Sequence, residues 1–221
     1  MSAGHHSSSA GVTEGDLSKL LLILKIKRRR AQRPEIVRLF DVPYLGGYSL
    51  DGQRIYLDRH LRPVRIGGKT IDPSRFLFLH EHLEKVLIDE LGWKYLPAHE
   101  AATRYEHRGV RSAGLDPKAY EAALKPYIKA DRHERLTRVP PDLDLTPYRS
   151  APHEADDKAL LAHLRKVMDH PQPKLTKTQA HYGHGMTKTH CGNCRHFGNR
   201  NCEIVSGAIS PMQWCMFWER E

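Results

Sequence analysis

The chain has 221 residues, 39% of them hydrophobic and 28% charged, with a formal net charge of +9 at pH 7. That length buries one sizeable core with room for a small added module, and the charge permits an acidic partner such as nucleic acid or an anionic surface. The apolar run LLLILKI at 20–26 is far below the ~20 residues needed to span a bilayer and is followed, not preceded, by its basic residues, which excludes both a transmembrane helix and a secretory signal there and implies a cytoplasmic protein without a membrane partner.

Residues 1–12 are small and polar and read as a disordered N-terminus. From Thr13 to Arg30 the pattern Leu17, Leu20, Leu21, Leu24 predicts a helix capped by Thr13 or Asp16, with a strand through the same apolar run as the competing reading. Its basic end, including Arg28, Arg29 and Arg30, is either a solvated helix terminus or a phosphate-binding run; no helix-turn-helix or RNA-binding signature accompanies it. EIVRLF at 35–40 follows, and then GYSLDGQRIYLDRHL at 47–61, where Asp51-Gly52 between apolar runs predicts a β-hairpin. Asp58, Arg59 and His60 at its end are candidates for lining a groove, although a charged hairpin end needs no function.

Asp72-Pro73 opens a helix that reaches Leu91 and stops at Gly92. A second helix spans about Pro97 to Val110, and Asp116-Pro117 starts a third that reaches about Leu136. Strands followed by helices predict an α+β domain over 13–138, a β-hairpin leading into a helical bundle. Residues 139–185 hold a proline-rich extended strap at 139–154, an amphipathic helix from Glu154 to Met168 and a linker, and 186–221 form a small cysteine module.

The first two helices carry FLFLHEHLEKVLIDELGWKYLPAHEAATRYEHR at 76–108. His80 and Glu84 are four residues apart on one face with Glu81 beside them, and His99 and Glu106 share a face of the next helix. Antiparallel packing through the GWKYLP turn would bring the two faces together. Without a metal, His80 and His99 are core or surface histidines, with Glu81 and Glu84 on a solvated face paired to Lys85 or Arg104. A carboxylate-rich iron site between the helices is a further reading. His82 and His107 read as solvent-facing, and Tyr95, Tyr105 and Tyr120 as packing residues with a polar tip.

HEHLE is similar to the active helix of zincin-type metallopeptidases. That resemblance implies a zinc-dependent hydrolase acting on a protein or peptide, with His80 as ligand, Glu81 as the base that takes a proton from the attacking water, and Glu84 where the family has histidine. His99 or Glu106 would complete the ligand set, since two histidines and a glutamate are an established combination for catalytic zinc. The strand RIYLD would stand where zincins carry the edge strand that binds an extended peptide.

Cys191, Cys194, Cys202 and Cys215, every cysteine of the chain, have the spacing C-x2-C-x7-C-x12-C. Four thiolates suit tetrahedral zinc or a four-iron cluster, and two disulfides are the remaining pairing. Phe197, Ile204, Val205, Ile209, Trp214, Phe217 and Trp218 would form a dry box around them. CGNCRHF and the later SGAISPMQWC resemble the high-potential iron–sulfur proteins over about the last 30 residues. The resemblance implies a 4Fe-4S cluster on the four cysteines. Three functions follow from these readings: a metal-dependent hydrolase with an appended cluster; an interaction or assembly protein of a phage or other mobile element, stapled by the cluster; or an electron-transfer protein whose partner docks on the basic arm.

Overall fold

The computed structural model describes residues 33–130, 136–150, 154–169 and 173–220. The N-terminal helix and basic arm read at 13–30 lie outside these residues, as does the stretch 131–135 near the expected end of the third helix. Among the described residues the chain is mixed α/β, with five helices and small sheets, and no helix is long and apolar enough to cross a membrane.

Strand β1 (Glu35–Val37) runs parallel to β3 (Arg54–Leu57), and β2 (Gly46–Tyr48) runs antiparallel to β3 on its other side. The predicted hairpin is β2–β3. Asp51 Oδ1 accepts hydrogen bonds from Ser49 Oγ (2.6 Å) and the Gln53 amide (2.9 Å), and Gly52 takes the left-handed conformation (φ 67°) that the turn requires. The strand RIYLD is therefore central and wholly buried, not an edge. The edge beside the helices is β2. A second hairpin, β4 (Val64–Ile66) with β5 (Lys69–Ile71), turns on Gly67 and Gly68, both at positive φ.

Helix α1 (Ser74–Leu91) begins where Asp72 Oδ1 accepts the Ser74 amide, and ends on left-handed Gly92. Helix α2 (Tyr95–Ser112) starts two residues before Pro97, and α3 (Pro117–Ala130) is capped by Asp116 Oδ2, which accepts the Ala119 amide. Leu83 and Leu87 of α1 pack on Ala98, Ala101 and Ala102 of α2. Alanines at the contact let the helix axes approach closely, which carries His99 and Glu106 up to α1.

The strap is less extended than its prolines imply. Ser49 bridges Leu143, and the Leu50 amide donates to Asp142 O while the Asp144 amide donates to Tyr48 O, so residues 142–144 cover part of the outer edge of β2. Asp144 Oδ1 then caps the Thr146 amide and starts a short helix, α4 (Thr146–Ser150). Helix α5 (Glu154–Asp169) buries Leu160 and Leu164.

Alternation along β3 divides the protein into layers. Ile55 and Leu57 face a core shared with α1, α3 and β4. Tyr56 faces the other way, into a core shared with Phe40, Leu160, Leu164, Val205, Ile209 and Phe217. The cysteine segment, built on the two-residue pairs β6 (Gly183–His184) with β9 (Gln213–Trp214) and β7 (Phe197–Gly198) with β8 (Asn201–Cys202), thus packs on the sheet instead of hanging from it. Phe40 stands edge-on between Tyr56 and Phe217, and the buried guanidinium of Arg54 donates to Met216 O and to the carboxylate of Asp142.

Candidate functional site

Helix α1 is buried on an unusually wide face, because β2, α2 and the strap all rest on it. His80, Glu81, Glu84 and Lys85 are consequently buried along with the leucines and phenylalanines. Four buried ionisable side chains on one helix need partners, and each polar group's position follows from the partner it has.

His80 Nε2, His99 Nδ1 and Glu84 Oε2 face one point. The separations are 3.1 Å between the two nitrogens, 2.8 Å from His99 Nδ1 to Glu84 Oε2 and 3.6 Å from His80 Nε2 to Glu84 Oε2. Among the described residues this is the group whose three donor atoms lie close enough together to hold a metal ion. For metal–donor distances of about 2.0–2.1 Å, tetrahedral donors stand about 3.3–3.4 Å apart, so the set fits zinc. Two of its members are held from behind. Glu106 Oε2 lies 3.0 Å from His80 Nδ1, and Tyr120 donates to Glu106 Oε1 at 2.7 Å; Tyr48 donates to Glu84 Oε1 at 3.0 Å. The third, His99, has its side chain 44% exposed and packs near the ring of Tyr95, leaving an open side.

Burial would lower the His80 pKa, but its hydrogen bonds to Glu106 and Glu84 outweigh burial and raise it to about 10. Burial likewise favours neutral Glu84, yet hydrogen bonds with His80 and His99 bring it down to about 2. Glu106 is lowered for the same reason by His80 and Tyr120 against the opposing effect of burial. Glu81 differs. Its burial raises its pKa to about 8; nearby His80 lowers it, while Glu84 and Glu106 add to the rise. It is the acid of the group poised near neutrality.

A cavity of about 610 Å³ opens over these residues. Gly46 and Gly47 of β2 form part of its wall, and a Cβ at Gly46 would stand 2.4 Å from Glu81 Oε1, so any larger residue there requires the Glu81 carboxylate to move. Lys85 Nζ donates to Asp144 Oδ2 (2.8 Å) and pairs with Asp89 (3.1 Å), tying the strap to α1 and holding Tyr148 at the cavity.

The sequence-derived candidates therefore sort by geometry. His80, Glu84 and His99 come together, Glu81 lies beside them, and Glu106 stands behind His80, bonded to the ring nitrogen that faces away from the donor set. The solvated-face reading of Glu81 and Glu84 does not hold, since both are buried and Lys85 and Arg104 pair elsewhere. Asp58, Arg59 and His60 do not line the cavity: Asp58 accepts the Val42 and His60 amides, and Arg59 and His60 pair with Asp41. His107, read as solvent-facing, is only 21% exposed in its side chain, pairs with Glu121 and lines the cavity. Tyr48, Asp144 and Tyr148 were not singled out, having no local pattern to mark them. The glycine pair before Tyr48 was the available signal.

All four cysteines are buried free thiols. Cys191 and Cys194 flank a 3-10 turn, with the Cys194 amide donating to Cys191 O, and Cys202 ends a hairpin whose turn residues Asn199 and Arg200 are both left-handed. The Ile204 amide donates to Cys202 Sγ at 3.4 Å. Burial, reinforced by Cys194 and Cys202, pushes Cys191 up to about 11; burial likewise raises Cys215 to about 12, and the other three cysteines add to it. The thiols thus share one neighbourhood. Val205, Ile209 and Phe217 are buried around them, while Trp218 Nε1 donates to His190 O and Asn193 Oδ1.

No protein-family model, curated protein or solved structure matches the chain, so the functional reading rests on this geometry.

Proposed function

We propose that the protein is a zinc-dependent hydrolase of peptide-like bonds, with an iron–sulfur cluster in its C-terminal segment. The observation that carries the first part is the convergence of His80 Nε2, His99 Nδ1 and Glu84 Oε2 at 2.8–3.6 Å beneath a cavity, with Glu81 buried beside them. Zinc in such a set acts as a Lewis acid that polarises a carbonyl and acidifies a water. His80, Glu84 and His99 would hold it, and Glu106 and Tyr48 would keep His80 and Glu84 aimed. Glu81, buried beside the donor set and lining the cavity, would take a proton from the attacking water and return it to the leaving amine. The exposed side of His99 leaves room for the scissile group.

The four cysteines favour a 4Fe-4S cluster over a single zinc. All four cysteines are buried, Cys191, Cys202 and Cys215 in the core that Val205, Ile209 and Phe217 share with the sheet, and the resemblance of their spacing and neighbours to the high-potential iron–sulfur proteins is what supports a cluster there.

The test is Glu81→Gln, which keeps shape and removes the base. Turnover of a peptide library should fall ~10²–10⁴-fold with one zinc per chain retained. Equal turnover by both forms would remove Glu81 from the mechanism, and absence of zinc from the parent chain would remove the hydrolase.

A further inference from the structure

Tyr44 and Leu45 are consecutive non-glycine residues in the left-handed region, with φ of 55° and 73°. Such backbone is strained for a side chain with a Cβ, and two residues of it in succession persist only where the surroundings enforce it. Here Pro43 precedes them, Leu45 is buried in the core, and Leu45 O accepts the Asp58 amide. A turn needing this conformation is normally given to glycine, and Gly46 and Gly47 follow immediately. What the strained pair achieves is to hold the aromatic ring of Tyr44 outward, 53% exposed, at the cavity mouth and stacked on Tyr148 with ring centroids 6.3 Å apart.

The same cavity collects two further apolar side chains that stand in solvent, Leu96 of α2 (39% exposed) and Ile128 of α3 (42% exposed). The geometry points to Tyr44 as a specificity-determining residue that selects substrates carrying a bulky apolar side chain, aromatic above all, next to the bond to be cleaved. This inference rests on the hydrolase reading for the word substrate, but the binding preference stands by itself.

The probes are two blocked peptides, acetyl-Ala-Ala-Phe-Ala-Ala-amide and its all-alanine counterpart, titrated by saturation-transfer NMR into the full chain carrying Glu81→Gln and loaded with zinc. The phenylalanine peptide should bind ~10-fold tighter, about 1.4 kcal/mol, through the aromatic contact and the added apolar area. Adding Tyr44→Ala should remove most of that preference without changing affinity for the alanine peptide, and Tyr44→Phe should keep it. Equal affinities, no binding of either peptide, or a preference that survives Tyr44→Ala overturns the proposal. Tyr44-dependent binding with neither peptide cleaved by the unsubstituted chain sinks the hydrolase reading and leaves the apolar subsite. Cleavage of both at equal rates does the reverse.

Discussion

Zinc affinity should climb with pH, and His80 sets the slope. In the metal-free chain the His80 ring stays charged up to about pH 10, because its hydrogen bonds to Glu106 and Glu84 outweigh burial. A metal takes only the neutral ring, so each ion bound at pH 7 displaces one proton held about three pH units too tightly, a cost of about 4 kcal/mol at ~1.36 kcal/mol per unit. Affinity should therefore rise about tenfold per pH unit across the neutral range, with one proton released from His80 per zinc. Chelator competition between pH 6.5 and 8.5 gives the slope, and calorimetry in buffers of different ionisation heat counts the proton. Glu106→Gln, which keeps the Tyr120 contact in reach, should flatten the slope by releasing His80 from its carboxylate and should weaken binding ~10–100-fold at the alkaline end, where basicity of the ligand decides. The metal-free chain responds in the opposite sense. Stabilisation by charged His80 is complete below its ordinary 6.5 and is lost as pH rises through about 10, so the apo Tm should fall over that window while the zinc-loaded Tm does not. A pH-independent affinity, or a slope indifferent to Glu106→Gln, would refute the assignment of His80 as a ligand backed by Glu106.

Gly46→Ala should cost ~10²-fold or more in turnover with zinc retained, since its Cβ, 2.4 Å from Glu81 Oε1, must push that carboxylate out of place; unchanged turnover measured alongside zinc content would show that the position of Glu81 is unimportant. Arg54→Met should cost about 3–5 kcal/mol in urea denaturation by leaving Asp142 buried without its cation, and a loss under about 1 kcal/mol would mean that the pair is solvated in solution.

Much of the helical part was legible because its signals are local. Asp72-Pro73 and Gly92 bracket α1 to within a residue, and Asp116-Pro117 starts α3 as read. Asp51-Gly52 gave the hairpin for the same reason. The parallel pairing of β1 with β3 was not legible, since it joins residues about twenty apart through backbone hydrogen bonds that no side-chain pattern records. Misreading β3 as an edge followed from that omission. At the site, helical spacing aligned His80 with Glu84 and His99 with Glu106, but whether Glu106 would stand in front of His80 or behind it depends on Tyr120, fourteen residues further on. The strap's two anchors, Asp142 to Arg54 and Asp144 to Lys85, cross more than fifty residues each and leave no trace in local composition.

Those anchors bear on how far the cysteine segment and the cavity depend on each other. The segment's own hydrophobic residues are few, and its core is completed by Val37, Phe40 and Tyr56 of the sheet region, so loss of a cluster should be felt through the sheet. His80, Glu84 and His99 lie on α1 and α2, which pack on each other through Leu83, Leu87, Ala98, Ala101 and Ala102, a cluster separate from the one that holds Cys191, Cys202 and Cys215. Cys202→Ala, in protein purified without oxygen, should therefore lose its complement of about four irons and four sulfides and its visible absorption, and unfold at lower urea, while still binding one zinc. Colourless parent protein with zinc on the cysteines would reject the cluster. Joint loss of iron and zinc in the variant would show that the network through Arg54 and Asp142 makes the two centres one cooperative unit, in which the wall of the cavity stands only while the cysteine segment is folded.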